Sequence, residues 1–440
     1  MTASESTLAA PAGTRAAAAA EPKLGPWLVV AATVFNLGLC YINTRGWAVI
    51  TNAPIIICEL AIISGGIFVI RSNISGVAIR ITAIAVMWEL CAWMINPGLD
   101  LEILHDLAIM YIFYKVGTLT SIQTGNRTLW IVMGIVLAFG FMEWKLQARF
   151  EQAFNIWSYY VNKGAIPAGT VNLSGTDLYA SGVRGTAASR TFFPSLFGPH
   201  RVSSVFLEPT SLGNFAALAF AWCMSTSCGK LWSRALLFVL AICCFILPDS
   251  RFASTTCMIM FVLGFVSFAR SRLVVFLMPV LVMLALTIEG ALHEIPGVLP
   301  AIITDDFPGR LLFSGRLLGY WDLPQWLGLD VSPVYTEDTG YAYFVNNLGL
   351  PLALYLLAVF AAFKPRSREA ARFKAMISVY YATALCIGAS VFSIKTAALL
   401  WFLYGTTNSV ARLRARVPPN EPSRAAGSIT LPYAGEGQSA

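Results

Sequence analysis

Blocks of mostly apolar residues, each about 17–23 residues long, recur along most of this chain. A helix of that length crosses the hydrocarbon core of a bilayer. Lipid offers no hydrogen-bond partner to the backbone, so a spanning segment must satisfy its own N–H and C=O groups, as a helix does. A transmembrane β-barrel would show short alternating segments instead of continuous runs such as 55–70. The pattern predicts an all-α, polytopic integral membrane protein.

The composition excludes a soluble domain. Hydrophobic residues make up 57% of the 440 residues and charged residues 12%, whereas an ordinary soluble domain carries roughly 25% charged residues. The formal net charge of +7 could suggest an acidic partner. Most of the cations flank apolar blocks, however, which indicates membrane topology and not nucleic-acid binding.

Twelve blocks are long enough to be spans. They are 27–43, 48–70, 77–95, 102–121, 128–147, 205–227, 231–247, 252–269, 273–289, 342–362, 374–391 and 394–411. The last two form one apolar stretch that only the 393–395 region interrupts. Residues 1–26 and 412–440 have the small, polar and Pro-rich composition of disordered ends. We therefore expect a transmembrane domain over 27–411, with a first span that is not cleaved.

The charges between the blocks predict the orientation. Thirteen cations lie in the even-numbered loops: Arg71, Arg80, Lys115, Arg127, Lys230, Arg234, Arg270, Arg272, Lys364, Arg366, Arg368, Arg372 and Lys374. The short odd-numbered loops carry only Arg45, Arg251 and Lys395. By the positive-inside rule both ends are then cytoplasmic, and the long loops 148–204 and 290–341 face outward. Loops of that length are usually functional, and the aromatic stretch at 150–160 suggests an interfacial helix.

The nine cysteines do not predict a disulfide framework or a metal site. All lie in or beside apolar blocks, and no CxxC pair occurs: Cys40, Cys58, Cys91, Cys223, Cys228, Cys243, Cys244, Cys257 and Cys386. Small buried hydrophobic side chains explain them best. We expect no metal and no cofactor.

Candidate functional residues gather in the first long loop and at the start of the sixth block: Arg190, His200, Arg201 and Glu208. Pro209 suits the first turn of a helix, and Glu208 could cap its free N–H groups. A capped helix with a headgroup-anchoring arginine is one interpretation. The other is a phosphate-binding Arg201, whose planar fork meets phosphate oxygens bidentately, oriented by the Glu208 carboxylate.

Asp249 and Arg251 stand at a turn between two apolar blocks. Ionisable groups at such a position are costly, so they pair or serve a function. A local ion pair is one interpretation, and Arg251 facing the same cleft as Arg201 is the other. In the second long loop, Asp338 precedes the tenth block. It could interact with the helix dipole or accept a proton from a sugar hydroxyl.

Three short segments carry a resemblance: Arg201-x-x-Ser204…Glu208-Pro209, Ser314-Gly315-Arg316…Trp321 and Asp338-x-Gly340-Tyr341…Leu348-Gly349. With the layout of blocks and long loops, they resemble the Wzy-type bacterial polysaccharide polymerases and the related O-antigen ligases, most closely the exopolysaccharide polymerases of the xanthan and acetan type. The resemblance implies a GT-C-like membrane glycosyltransferase at the periplasmic face of the inner membrane. It would transfer a growing chain from an undecaprenyl-diphosphate carrier to the next lipid-linked repeat unit.

The resemblance also implies roles for individual residues. Arg201, Arg251 and Arg316 would bind the diphosphate, Asp338 would be the catalytic base, and Glu208 a second catalytic carboxylate. Further candidates are Arg190, His200, Asp249 and Tyr341. The implied partners are the lipid-linked oligosaccharide, the bilayer, and flippase, chain-length or export proteins.

Two other functions stay open. The ligases usually carry a His where this chain has Asp338, which favours a polymerase over an O-antigen-type ligase. A lipid-linked oligosaccharide flippase should instead place ionisable groups in the middle of its spans. Glu59 and Glu89 are candidates for such a polar path.

Overall fold

The computed structural model describes residues 21–96, 102–172, 176–178, 200–293, 307–332, 334, 336 and 339–409. Sixteen α-helices lie in these residues: α1 Leu24–Thr44, α2 Asn52–Ile70, α3 Gly76–Ile95, α4 Glu102–Thr118, α5 Ile122–Lys145, α6 Gln147–Ala153, α7 Ile156–Asn162, α8 Pro209–Ser225, α9 Leu231–Ile246, α10 Arg251–Phe265, α11 Arg272–His293, α12 Phe307–Tyr320, α13 Leu323–Trp326, α14 Gly340–Ala362, α15 Arg368–Ala384 and α16 Ile394–Thr407.

Six of these helices are long and apolar enough to cross a membrane: α1, α2, α3, α5, α11 and α14. The prediction of an α-helical membrane protein is thereby confirmed. Each of the other predicted blocks also coincides with a helix, but these helices have 14–17 residues. At 1.5 Å per residue they measure roughly 21–26 Å, less than the roughly 30 Å of hydrocarbon.

Irregular turns account for much of this shortening. A 3-10 turn at Ser204–Phe206 precedes α8, so the sixth block is helical only from Pro209. The last two blocks separate earlier than expected, because α15 ends at Ala384 and a 3-10 turn at Ala389–Val391 leads into α16. The aromatic stretch of the first long loop forms α6 and α7, and its Phe150, Tyr159 and Tyr160 side chains are buried within the protein.

Helix α16 lies at the centre of the bundle. It packs against α1, α4, α5, α8 and α15, and twelve of its fourteen residues are buried. Its crossing with α4 is the closest, because Gly405 faces Gly117. Small residues let helix backbones approach in this way within a membrane. The two glycines therefore set the distance between α4 and α16.

A break in α14 sets the direction of the N-terminal part of that helix. Gly349 has φ +67° and ψ 152°, outside the helical region, and Pro351 follows. Gly328 lies against this break, where a Cβ atom would come within 2.8 Å of the Gly349 Cα. The indole N–H of Trp88 on α3 donates to the carbonyl of Leu348 at 2.8 Å. Helix α3 and the segment after α13 thus meet at the point where α14 changes direction.

We predict that Gly405→Ala destabilises the protein by about 1–3 kcal/mol. The added methyl group would overlap the Tyr114 carbonyl oxygen on α4, and a backbone atom cannot move aside as a flexible side chain can. The midpoint of thermal unfolding in detergent measures the effect. Gly38→Ala is the matched control, since a Cβ atom at Gly38 meets nothing within 4 Å. Equal midpoints for the two variants would contradict the prediction.

Candidate functional site

The segment that leads into α8 is held by one buried carboxylate. Glu143, in the last turn of α5, is 1% exposed. It accepts hydrogen bonds from the backbone N–H groups of Ser203 and Ser204 and from the Ser203 hydroxyl, and its Oε1 lies 2.9 Å from His200 Nε2. A buried charge must be paired in this way to be tolerated. Of the candidates named above, His200 therefore lies in an anchoring contact between α5 and the 200–206 segment.

Glu208 stands directly before α8, but its side chain does not cap the backbone N–H groups of that helix. The expectation of a capping role was wrong, because stronger partners surround the carboxylate. Lys395 Nζ lies 3.8 Å from Oε1, the Ser211 hydroxyl donates to Oε2 at 3.0 Å, and the Tyr160 hydroxyl donates to Oε1. Glu208 thus links α7, α8 and α16. Its ionic partner is Lys395 and not Arg201.

Arg201 instead reaches the turn before α10. Its Nε donates to the carbonyl of Pro248 at 2.8 Å. Asp249 adopts a left-handed conformation with φ +47°, and the Ser250 hydroxyl caps α10 by accepting from the backbone N–H of Ala253. Arg251 is the first residue of α10 and is half-buried. Arg201 and Arg251 are therefore brought to the same turn from two different segments.

The start of α8 packs against this turn. A Cβ atom at Gly213 would lie 2.8 Å from the Ser250 hydroxyl oxygen, so the first helical turns of α8 and α10 are in close contact. The Asn214 side chain donates to the Ser390 hydroxyl at 2.8 Å, just before α16. Glu208 and the turn that Arg201 and Arg251 reach therefore both lie at the N-terminal end of α8.

The remaining predicted residues are placed differently. Arg316 lies half-buried on α12, which packs on α11 where Gly315 meets Gly290. Tyr341 is buried, and its hydroxyl donates to the carbonyl of Ala382 at 3.1 Å, a packing contact between α14 and α15. Asp338 and Arg190 lie outside the described residues.

A second polar group lies among the spans. His105 on α4 has its Nε2 3.8 Å from Glu59 Oε2 on α2 and its Nδ1 3.5 Å from Asp106 Oδ1. The Tyr343 hydroxyl on α14 donates to Asp106 Oδ2 at 3.4 Å. Lys395 acts electrostatically on both Glu59 and Glu208. This group is therefore within electrostatic range of the pair at the start of α8, and we call the two groups together the polar cluster: Glu59, His105, Asp106, Tyr160, Glu208, Tyr343 and Lys395.

Glu89 does not belong to this cluster. It is buried on α3 with no exposed surface, on the same face as Ala85 and Ala92. Neither of its carboxyl oxygens has a hydrogen-bond partner among the described residues. The two acidic residues that the sequence suggested as one polar path are thus separate in the structure.

Several helices present their N-terminal ends to the polar cluster. Lys395 is in the first turn of α16, Glu208 precedes α8, Tyr343 lies in the first turn of α14, and Asp106 lies in the second turn of α4. The N-terminal end of a helix carries a partial positive charge and free N–H groups, which favour anions. These ends, with Arg201 and Arg251, therefore place positive charge on the side of the bundle where the carboxylates of Glu59, Asp106 and Glu208 also lie.

Sequence reasoning missed five members of the polar cluster. Lys395 seemed only to interrupt the last two blocks, Tyr160 was one of several aromatic residues, and His105, Asp106 and Tyr343 were given no role. The available signal was the rarity of such groups inside apolar blocks, since ionisable residues there usually have a function. Among the described residues, no group of three or more His, Cys, Asp or Glu side chains is arranged to hold a metal ion.

Comparisons with protein-family profiles, with characterised proteins and with solved structures gave no match for this chain.

We predict that Glu143→Gln destabilises the protein by on the order of 3 kcal/mol, because an amide cannot accept from all the donors that now meet the carboxylate. The midpoint of thermal unfolding should fall, and limited proteolysis should cleave within 200–208. Glu151→Gln on α6 is the control, since Glu151 is only half-buried and is paired with Gln147. A stable, protease-resistant Glu143→Gln protein would show that the carboxylate does not hold the segment.

Proposed function

We propose that this protein is a glycosyltransferase that polymerises lipid-linked oligosaccharide repeat units into exopolysaccharide. It would act at the periplasmic face of the bacterial inner membrane, on repeat units carried by undecaprenyl diphosphate. The proposal includes twelve spans with both termini cytoplasmic and a GT-C-like arrangement of helices. Under that topology the N-terminal ends of α4, α8, α14 and α16 face the periplasm, on the side of the two long loops.

The observation that carries the proposal is the meeting of Arg201 and Arg251 at one turn. The Arg201 side chain bonds to Pro248, three residues before Arg251. In our proposal the guanidinium groups of these two residues bind the diphosphate, because the planar fork of a guanidinium matches phosphate oxygens. The same end of the bundle has converging helix N-termini, which add to the attraction for a multiply charged anion.

The proposed reaction uses this end of the bundle as follows. A hydroxyl of the acceptor sugar attacks the anomeric carbon of the donor chain, and the bond from that carbon to the diphosphate oxygen breaks. The diphosphate leaves with the bonding electron pair, and the arginines stabilise the charge that develops on it. The acceptor proton passes to a carboxylate, for which Asp338 is our candidate.

Glu208 has a different role in this scheme. Its pairing with Lys395 and its bond from Tyr160 hold the carboxylate in its charged form and fix its position. A carboxylate stabilised in this way is a weak base. We therefore assign Glu208 to positioning the start of α8 and the Lys395 cation, and leave proton transfer to Asp338.

We predict that Arg201→Lys and Arg251→Lys each lower polymer formation about 100-fold or more, because a lysine keeps the charge but loses the bidentate fork. The measurement supplies purified protein with a lipid-linked repeat unit and follows the ladder of products on a gel. Arg149→Lys, an exposed cation on α6, is the control.

Arg316→Ala and Asp338→Ala should abolish the ladder, with the protein still in the membrane and single repeat units accumulating. Ladders of normal length in the arginine variants would overturn the assignment of the diphosphate site.

One observation favours a second candidate function, a flippase for the same lipid-linked units. The contacts of His105 with Glu59 and Asp106 place ionisable groups between α2 and α4, as a transport path requires.

We predict that Glu59→Gln leaves the ladder within about threefold of the unaltered protein if the polymerase proposal is correct. In proteoliposomes with a fluorescent lipid-linked sugar, a flippase would move the lipid without joining units, and Glu59→Gln would stop that movement.

A further inference from the structure

Helix α3 is attached to the rest of the protein through a narrow face. Of its 20 residues, Ala85, Glu89 and Ala92 are buried, and these three positions follow each other at helical spacing. Among the described helices, α14 makes the most extensive contact with α3. The buried face of α3 is therefore a single carboxyl group flanked by two methyl groups.

No group among the described residues compensates a charge on Glu89. Its side chain has no exposed surface, and no hydrogen-bond donor of the described residues reaches either carboxyl oxygen. Helix α14 contains no charged residue, and the hydroxyls of its Tyr341 and Tyr343 are bonded elsewhere. Arg80, on α3 itself, is exposed and lies nine residues before Glu89, roughly 13 Å along the helix.

An unpaired carboxylate in such an apolar place is costly, and protonation removes the charge. A protonated carboxyl can also donate a hydrogen bond to a neighbouring carbonyl, which a carboxylate cannot do. A metal ion would need several further oxygen ligands, whereas no second acidic side chain of the described residues acts on Glu89. A proton is therefore the cation that suits this position.

The break in α14 lies at the same interface. Trp88, the residue before Glu89, donates its indole N–H to the Leu348 carbonyl at 2.8 Å. Gly349 and Pro351 form the break directly after it, and Pro351 has no N–H with which to continue the helical hydrogen bonds. The direction of the N-terminal part of α14 thus depends on α3 remaining in place.

Few other contacts resist a movement of α3. Asn96, directly after the helix, donates to Asp330 at 3.4 Å at an exposed position. Most of the helix presents exposed apolar side chains such as Met87, Trp93 and Met94, which lipid solvates wherever the helix lies. A charge on Glu89 would therefore favour a position of α3 away from α14, where water can reach the carboxylate.

We propose that Glu89 is a proton-binding site that controls the packing of α3 on α14. The protonated carboxyl is buried between the helices. Loss of its proton to water releases α3, and with it the bond from Trp88 at the break in α14. Because Tyr343 of the polar cluster lies on the N-terminal part of α14, the proton on Glu89 also influences the position of that residue. The inference goes beyond the proposed function and does not depend on it.

Infrared spectroscopy of the full-length protein in detergent tests the protonation. A protonated carboxyl gives a C=O stretching band that a carboxylate lacks, and at neutral pH exposed carboxyl groups are ionised. We expect this band in the unaltered protein, its loss in Glu89→Gln, and its retention in Glu151→Gln, which removes a half-buried acid on α6. A spectrum without the band, or a band that Glu89→Gln leaves unchanged, would overturn the proposal.

Hydrogen–deuterium exchange tests the control of α3. Exchange is measured at about pH 6 and about pH 9 and corrected for the intrinsic rate, with α1 as internal reference because this span contains no acidic residue. Relative to α1, we expect α3 and residues 346–352 to exchange about 10-fold faster or more at the higher pH, since the ionised fraction changes about 10-fold per pH unit below its midpoint. Glu89→Gln should remove this increase, and Glu89→Asp, which keeps an ionisable group, should retain it.

The comparison of α3 with α1 within the unaltered protein remains decisive if Glu89→Gln fails to fold. Equal pH dependence of the two helices would reject the control of α3 by Glu89. Protection of α3 by sodium ions at the higher pH would reject the proton in favour of a metal ion. None of these measurements requires turnover, so a protein that makes no polymer ladder would reject the polymerase alone and leave the proton site standing.

Discussion

The contacts of the Glu143 carboxylate organise the end of the bundle on which our proposed function rests. A charged group buried at the end of α5 is tolerated only because backbone and side-chain donors surround it. Those donors come from the segment between His200 and Ser204, so satisfying the carboxylate also fixes the segment. Arg201 lies inside it, and Glu208 follows within one short turn. The positions of both residues therefore depend on a group that touches neither of them.

The polar cluster also depends on the position of α16. The glycine contact of this helix with α4 fixes it in the centre of the bundle, and Lys395, in its first turn, belongs to the polar cluster. Lys395 pairs with Glu208 and also acts electrostatically on Glu59, and both carboxylates are far from it along the chain. A lysine near the end of a buried helix needs such partners, since its charge is costly in an apolar environment. Helix packing and the pairing of Lys395 with carboxylates together hold the polar cluster in place.

Particular residues show how far the sequence could predict the site. Pro209 correctly indicated the start of α8, and the Asp249–Arg251 turn lies where expected, because local rules of helix starts apply inside a membrane protein as elsewhere. The pairing of Glu208 with Arg201 was wrong, since the partner is Lys395, far along the chain. Tyr160 and His105 were not recognised as neighbours of carboxylates. The polymerase function itself stays a proposal that rests on the short segments and on the geometry around Arg201 and Arg251.

The sequence alone determined that this chain is an α-helical membrane protein, because the length and polarity of its apolar blocks are set by bilayer thickness and by the backbone's need for hydrogen bonds. It also located the helices of the twelve apolar blocks, most of them to within a few residues, but α15 lies six to seven residues before its predicted block and α12 and α13 fall in a predicted loop. Only the tertiary structure decided which helices meet, which carboxylate pairs with which cation, and that Glu89 is buried without a hydrogen-bond partner among the described residues. In a soluble helix, an apolar stripe shows which face is buried. A membrane helix is apolar on all sides, so its sequence carries little information about its neighbours, and close packing of small residues and rare polar pairs selects them.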